Sequence, residues 1–284
     1  MPIVFAKPVT LTTGWDLANA TYDTVSLPIS SLIETAISGG HMSSDGTKLY
    51  ITGQTGHIHQ YTLPTPWSLV GATFSNKETS LIPEDPVLGG VFFKSDGAKM
   101  YVIGSNASPD TMFQYSLSTA WDANSTSVSY DNISKVMSDG FQLTGAVGNF
   151  FSPDGSRMFV MDYQTDLVIQ YALPTPWSLT GSLYDSKNLF VGNEDSFGTG
   201  IFFKPDGLTM FLLGNTNNMI YQYNLGNAWD FVPSTTSYSG ISYDVSAQST
   251  LPVAIFFSPD GLKMFVFDGA LNSSTIYQYT LPAL

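Results

Sequence analysis

The chain has 284 residues and a formal net charge of −13, with a sequence pI near 4.2. Such a surface repels nucleic acid and anionic membranes and argues against both as partners. Charged residues are only 12% and hydrophobic ones 43%, an ordered, β-rich composition, and the lack of cysteine removes disulfides, thiolate metal centres and cysteine nucleophiles.

The first stretch, MPIVFAKPVTLTTGWDL, has no basic region followed by an apolar run and does not read as a Sec signal. No run of 18 apolar residues occurs, so no membrane insertion by a helix is expected. Beyond that stretch the chain repeats itself. GGHMSSDG at 39–46 is followed by GVFFKSDG at 90–97, GNFFSPDG at 148–155, GIFFKPDG at 200–207 and AIFFSPDG at 254–261. The Asp-Gly pairs begin at Asp45, Asp96, Asp154, Asp206 and Asp260, spaced by 51, 58, 52 and 54 residues. After each comes a KMFV-like run and then a Gln-Tyr pair, at Gln60, Gln114, Gln170, Gln222 and Gln278. A repeat of this period is the mark of a solenoid or propeller.

One unit reads as four strands. The FF run is short, aromatic and β-branched, and PDG closes it into a hairpin with KMFV. A variable loop leads to a third strand at IYQY, and a fourth follows a TPWSL-type connection. No segment sustains a helical apolar period. Tryptophans count the units independently: Trp15, Trp67, Trp121, Trp177 and Trp229 each sit in the connection before the fourth strand. Trp15 lacks three preceding strands, while the last unit ends at Leu284 without a Trp. The N-terminal segment is therefore expected to complete the C-terminal unit. The fold expected is all-β, a single five-bladed β-propeller domain over 1–284 with four antiparallel strands per blade. The blades span 36–81, 88–137, 146–190, 198–245, and 252–284 joined by 4–27. Closure of this kind removes exposed sheet edges.

These hairpins resemble the β-propeller repeats of the NHL and YVTN type, whose blades open with a similar F-[ST]-P-D-G turn. The resemblance runs from Leu11 to Leu281. The "FFKPDG…MYV…QYxLxTxW" pattern also looks like repeats in uncharacterised proteins of marine bacteria and their phages. It implies the fold and a scaffold or binding role, without naming a ligand.

Candidate residues fall on two faces. The Asp-Gly turns and tryptophans share one face. There the Asp residues read as turn formers, and the five tryptophans as either sugar-stacking sites or plugs of the seams between blades. The repeated Gln reads as a buried amide bonding backbone between blades. Met100, Met158, Met210 and Met264, with Leu49 in the remaining slot, read as core. On the other face the crossings between blades carry Glu34, Glu84, Asp85, Asp139, Glu194 and Asp195. They suggest a solvated acidic rim near the axial channel or a surface for a basic partner. Oxygen ligands would suit Ca²⁺, but the spacing matches no calcium loop and no metal or cofactor is expected. His41 stands where the other blades have Phe92, Phe150, Phe202 and Phe256. His57 and His59 share one side of a strand. His41 and His59 read as substitutions at packed positions.

The inner strands carry no acid, and no nucleophile motif or phosphate loop is present, so the chain is not expected to be an enzyme. A cysteine-free, Lys-poor, acidic chain without an export signal suggests a structural or binding platform of a bacteriophage particle. Its partners would be other virion proteins or a host-surface receptor. The alternative is a secreted or cell-surface lectin-like propeller with repeated glycan sites.

Overall fold

The computed structural model describes residues 14–140 and 142–283. It contains five four-stranded antiparallel sheets, and among the described residues the only helical element is a 3-10 turn at Leu17–Asn19. Blade 1 comprises β2 (Ile37–Met42), β3 (Lys48–Gly53), β4 (His57–Thr62) and β5 (Thr73–Ser80). Blade 2 comprises β6 (Leu88–Phe93), β7 (Lys99–Gly104), β8 (Thr111–Leu117) and β9 (Val128–Val136). Blade 3 comprises β10 (Ala146–Phe151), β11 (Arg157–Asp162), β12 (Leu167–Ala172) and β13 (Leu183–Phe190). Blade 4 comprises β14 (Gly198–Phe203), β15 (Thr209–Gly214), β16 (Met219–Asn224) and β17 (Ser237–Asp244). Blade 5 joins β18 (Pro252–Phe257), β19 (Lys263–Asp268) and β20 (Thr275–Thr280) to β1 (Thr21–Pro28). The five-bladed propeller expected from the repeats is the fold observed.

The residue pattern explains the radial order. The innermost strands β2, β6, β10, β14 and β18 pack against one another around the axis. They are buried on both faces, so they read as unbroken runs such as LGGVFF and GTGIFF. The outermost strands alternate exposed and partly covered residues, as in TYDTVSLP of β1. Each outer strand also carries one residue at positive φ (Thr24, Asn76, Asn132, Ser186 or Gly240), where its ladder with the third strand slips. Such a bulge increases the local twist. Met100, Met158, Met210, Met264 and Leu49 are wholly buried between the blades.

The first and last of the described strands are held together. β1 pairs antiparallel with β20, from Thr21 opposite Thr280 to Pro28 opposite Thr275. Asp23 fixes that register: Lys263 Nζ and Gln278 Nε2 donate to its Oδ2 at 2.8 and 2.7 Å, and the Thr280 hydroxyl donates to its Oδ1 at 2.6 Å. Asp131 occupies the same place in blade 2, taking Lys99 and Gln114 at 2.9 and 2.7 Å. The N-terminal strand thus reproduces a network that other blades build within themselves. Residues 4–13, also expected in the closing blade, lie outside the described residues. Deleting residues 1–27 removes most of β1 and leaves β20 as an open edge. The truncated chain is expected to aggregate or lose cooperative unfolding, which a far-UV circular dichroism melt with light scattering will show.

Candidate functional site

The innermost strands each place one ring on the axis. Phe92, Phe150, Phe202 and Phe256 meet edge to face, with centroids 5.2 Å apart and interplanar angles of 67–73°. His41 closes the circle at 5.0 Å from Phe92 and 4.9 Å from Phe256, at 67° and 72°. The result is a closed pinwheel of five rings. Edge-to-face contacts of this kind contribute about 0.5–1.5 kcal/mol each beyond area burial.

Each tryptophan stacks on the pinwheel ring of the preceding blade. Trp67 lies on Phe256, Trp121 on His41, Trp177 on Phe92, Trp229 on Phe150 and Trp15 on Phe202, at 6.0–6.5 Å and 10–29°. Each also has positive φ, from 59° to 80°, a costly conformation for a bulky residue. The Trp backbone N–H donates to the carbonyl of its own blade's Asp-Gly turn: Gly46, Gly97, Gly155 and Gly207 at 3.0 Å, and Gly261 for Trp15 at 2.9 Å. The indole then covers that glycine. At Gly97 an added Cβ would sit 2.3 Å from Trp121 Cδ1. The two most regular anchors of the repeat are therefore one contact.

On the Asp-Gly side the pinwheel forms the floor of an axial cup of about 230 Å³. Its wall consists of Trp67, Trp121, Trp177 and Trp229, and the turn residues Pro153, Pro205 and Pro259 form part of its rim. Trp15, the most buried of the five, is outside the lining and has Lys204 Nζ 5.6 Å over its ring. On the other side of the pinwheel lies a narrow cavity of about 30 Å³, bounded by backbone of all five innermost strands, room for little more than a water. Besides the hydroxyls of Ser44 and Ser95 at the cup and of Ser38 and Thr199 at the narrow cavity, two larger polar side chains line these cavities. His41 is 7% exposed and lines both. Burial among the rings pushes its pKa down to about 3, so the imidazole stays neutral. Asn149 is 7% exposed and lines the narrow cavity, and neither its Oδ1 nor its Nδ2 has a hydrogen-bond partner. The corresponding residues elsewhere are Gly40, Val91, Ile201 and Ile255.

Around the cup, Asp45, Asp96, Asp154, Asp206 and Asp260 are exposed at the five turns. Each accepts the N–H two residues on, at 2.9–3.0 Å. The Ser152 hydroxyl and the Ser156 N–H hold the Asp154 carboxyl below the usual carboxylate range. These residues are turn formers, as their sequence implies, and they also ring the cup with negative charge.

Of the crossing carboxylates, Glu84, Asp139 and Glu194 are partly exposed and the other three are buried rather than part of the expected solvated rim, and none lines either axial cavity. Glu34, Asp85 and Asp195 are 1–3% exposed. Each folds back onto loop N–H groups: Glu34 takes Ala36 and Thr55, Asp85 takes Val87 and Asn106, and Asp195 takes Phe197, Thr216 and Asn217. They fit because the facing strand ends in glycine. A Cβ on Gly53, Gly104 or Gly214 would lie 2.3–2.6 Å from the carboxylate side chain. Blades 3 and 5 invert the arrangement: the strand ends in Asp162 or Asp268, and that carboxylate takes Gly145 and Thr165, or Ser249, Thr250 and Leu251. Glu84 and Glu194 instead accept from Tyr115 and Tyr223 hydroxyls at 3.4 and 2.6 Å, and Asp139 pairs with Lys135.

The repeated glutamine behaves as expected in four of the five blades, Gln222 being the exception. Gln60, Gln114, Gln170 and Gln278 accept the backbone N–H of Ala123, Leu179, Phe231 and Leu69 in the neighbouring blade at 2.7–2.9 Å. In the closing blade the matching N–H, that of Leu17, donates to Trp15 O. His59 is buried between Glu34 and Glu78, 3.7 and 3.0 Å away. His57 Nδ1 lies 2.8 Å from Thr55 O. Among the described residues, no group of three or more His, Asp and Glu is placed to hold a metal. Asp110, which the sequence did not single out, is 1% exposed and accepts the Ala146 N–H at 2.7 Å. Burial, with the carboxylates of Asp162 and Asp85 nearby, pushes its pKa up to about 6.

No protein-family model matches the chain, and no curated protein does. Among solved structures, a luciferin-regenerating enzyme aligns with a TM-score of 0.54 at 10% identity, over 92% of this chain and 98% of that one. A functionally unknown protein from Desulfotomaculum acetoxidans aligns at 0.48 and 16% identity, over 82% of this chain; the chain spans 62% of that protein's length. The Cps50 (Swd1) β-propeller domain of Myceliophteria thermophila aligns at 0.48 and 7% identity, over 86% and 82%. At such identities the likeness is one of β-propeller fold alone.

Two outcomes follow from the site. Gly97→Ala forces both a left-handed alanine, which costs about 1–2 kcal/mol, and displacement of Trp121. A loss greater than the backbone cost alone is expected in urea denaturation. Asp110 binds its proton more tightly in the folded protein than in the unfolded chain. Its ionisation therefore costs stability above about pH 6, and that cost fades as pH falls toward the ordinary carboxylate range. Asp110→Asn is expected to raise Tm at about pH 7.5 and to lose that advantage near about pH 4, measured by thermal denaturation across that window.

Proposed function

We propose that the protein is a non-enzymatic binding platform of a bacteriophage particle. It docks through the face of the blade crossings and presents the aromatic cup on the opposite face, toward other particle components or a host-surface receptor. The observation that carries this reading is the cup itself: a concave, aromatic pocket on the axis whose lining contains no carboxylate. Concave apolar pockets with few polar groups are recognition sites, whereas glycoside hydrolysis needs two facing carboxylates.

The crossing face supplies the docking half. Leu32, Ile82, Phe197 and Leu251 in the crossings, Val136 and Phe190 at outer-strand ends, and Leu271 in the β19–β20 loop are all exposed, Leu32 at 95%. Val70, Leu183 and Leu208 are exposed on the cup side, so the crossing face holds the larger share of such side chains, and a gathering of them marks an interaction surface. The particle setting rests on the acidic, cysteine-free, lysine-poor composition. A lectin with five independent glycan sites has less support: every indole is already stacked on a pinwheel ring, and the four lining tryptophans share one cup.

Quantitative mass spectrometry of purified particles is expected to find the chain at a fixed copy number. A Leu32→Asp/Phe190→Asp variant is expected to keep its Tm but fall out of the particle. Absence of the native chain from particles, together with glycan-array binding lost in Trp121→Ala, would replace this reading with the lectin.

A further inference from the structure

We propose that the propeller axis binds a neutral small molecule of one or two rings bearing one hydrogen-bonding group, its ring held in the cup and its polar group on His41. This rests on the cup being the recognition site and not on the particle setting, so ligand binding and particle copy number fail separately.

Size and wall chemistry define the body of the ligand. A cavity of about 150 Å³ lined by apolar side chains takes up benzene, and the cup is about 230 Å³ with an aromatic floor and wall. Flat rings pack offset or edge-on against such surfaces.

His41 defines the polar end. Phenylalanine holds this pinwheel position in the other four blades, so geometry does not require a polar ring here. The imidazole is 7% exposed, is surrounded by Phe92, Phe93, Trp121 and Phe256, and makes no hydrogen bond among the described residues. Its ring faces the cavities on both sides of the pinwheel, and a ligand reaching the floor of the cup supplies the hydrogen-bond partner that the described side chains do not. Neutral imidazole offers one donor and one acceptor, and burial keeps it neutral. A charged group at this depth has no counter-charge in the lining and would lose its hydration without return. Anions also meet the five exposed aspartates around the mouth. Beneath the pinwheel Asn149, unpartnered and the one polar side chain at its position in the five blades, shows that symmetry is broken toward polarity twice on this axis.

The test uses the purified full chain titrated with phenol, toluene, benzoate and benzylamine, followed by tryptophan fluorescence and thermal shift. Phenol is expected to quench fluorescence and raise Tm, with the other three at least tenfold weaker. His41→Phe, which installs the side chain of the other four blades, is expected to keep or raise the melting temperature and to abolish the preference for phenol over toluene. In the native chain, ¹⁵N resonances of the His41 imidazole are expected to shift with phenol and not with toluene, a readout that does not depend on the variant folding. Equal binding of phenol and toluene, tighter binding of benzoate or benzylamine, no binding of any ring, or an unmoved His41 resonance each overturns the proposal. So does binding confined to aromatic-ended peptides, which would make the cup a protein-docking socket.

Discussion

Five sheets that meet on one axis must fill the space where their inner edges converge, and here that space is filled by the ring of His41, Phe92, Phe150, Phe202 and Phe256. Each ring presents its edge to the face of the next, so the circle closes only when every member is planar and each blade has the same tilt. The tryptophans transmit that order outward. Each indole joins the axial ring of one blade to the turn glycine of the next, and four of the five glutamines join the same neighbours deeper in the sheet. The blades are thus tied at three radii. The zip of β1 onto β20 extends those ties through the break in the chain.

Much of this architecture was legible in the sequence because repetition supplies internal controls. Five copies fixed the blade count, and the missing Trp of the last unit matched the surplus Trp15. Inter-blade glutamines were legible because a polar residue in the middle of every third strand has few other uses. The fourth strand's left-handed bulge was less visible, since Thr, Asn, Ser and Gly all occupy it.

The site was harder to read. The tryptophans and the axial phenylalanines were separate features in the sequence, and only the fold shows that four indoles wall one cup. His41 was recognised as standing in a Phe position, but not as a lone polar ring on an aromatic axis. Asn149 was visible as the N of NFF and had no context to mark it. The crossing carboxylates misled because loops lack a period that separates buried from exposed positions. A correlation did exist: blades with an acid three residues before their first strand end the second strand in glycine, and the two that lack it end in aspartate. That signal concerns paired positions and is invisible to a reading of either alone.

The exchange of carboxylate donors has a bearing on how such a protein can be recombined. Blades 1, 2 and 4 bring the charge from the crossing, and blades 3 and 5 bring it from the strand, yet all five seat one carboxylate against the same loop backbone. A blade is therefore a transplantable module only when its crossing travels with its second strand. A graft cut between them leaves either two anions in one socket or a set of buried amides with none. The outer strand of the closing blade already comes from a distant part of the chain, since β1 pairs with β20.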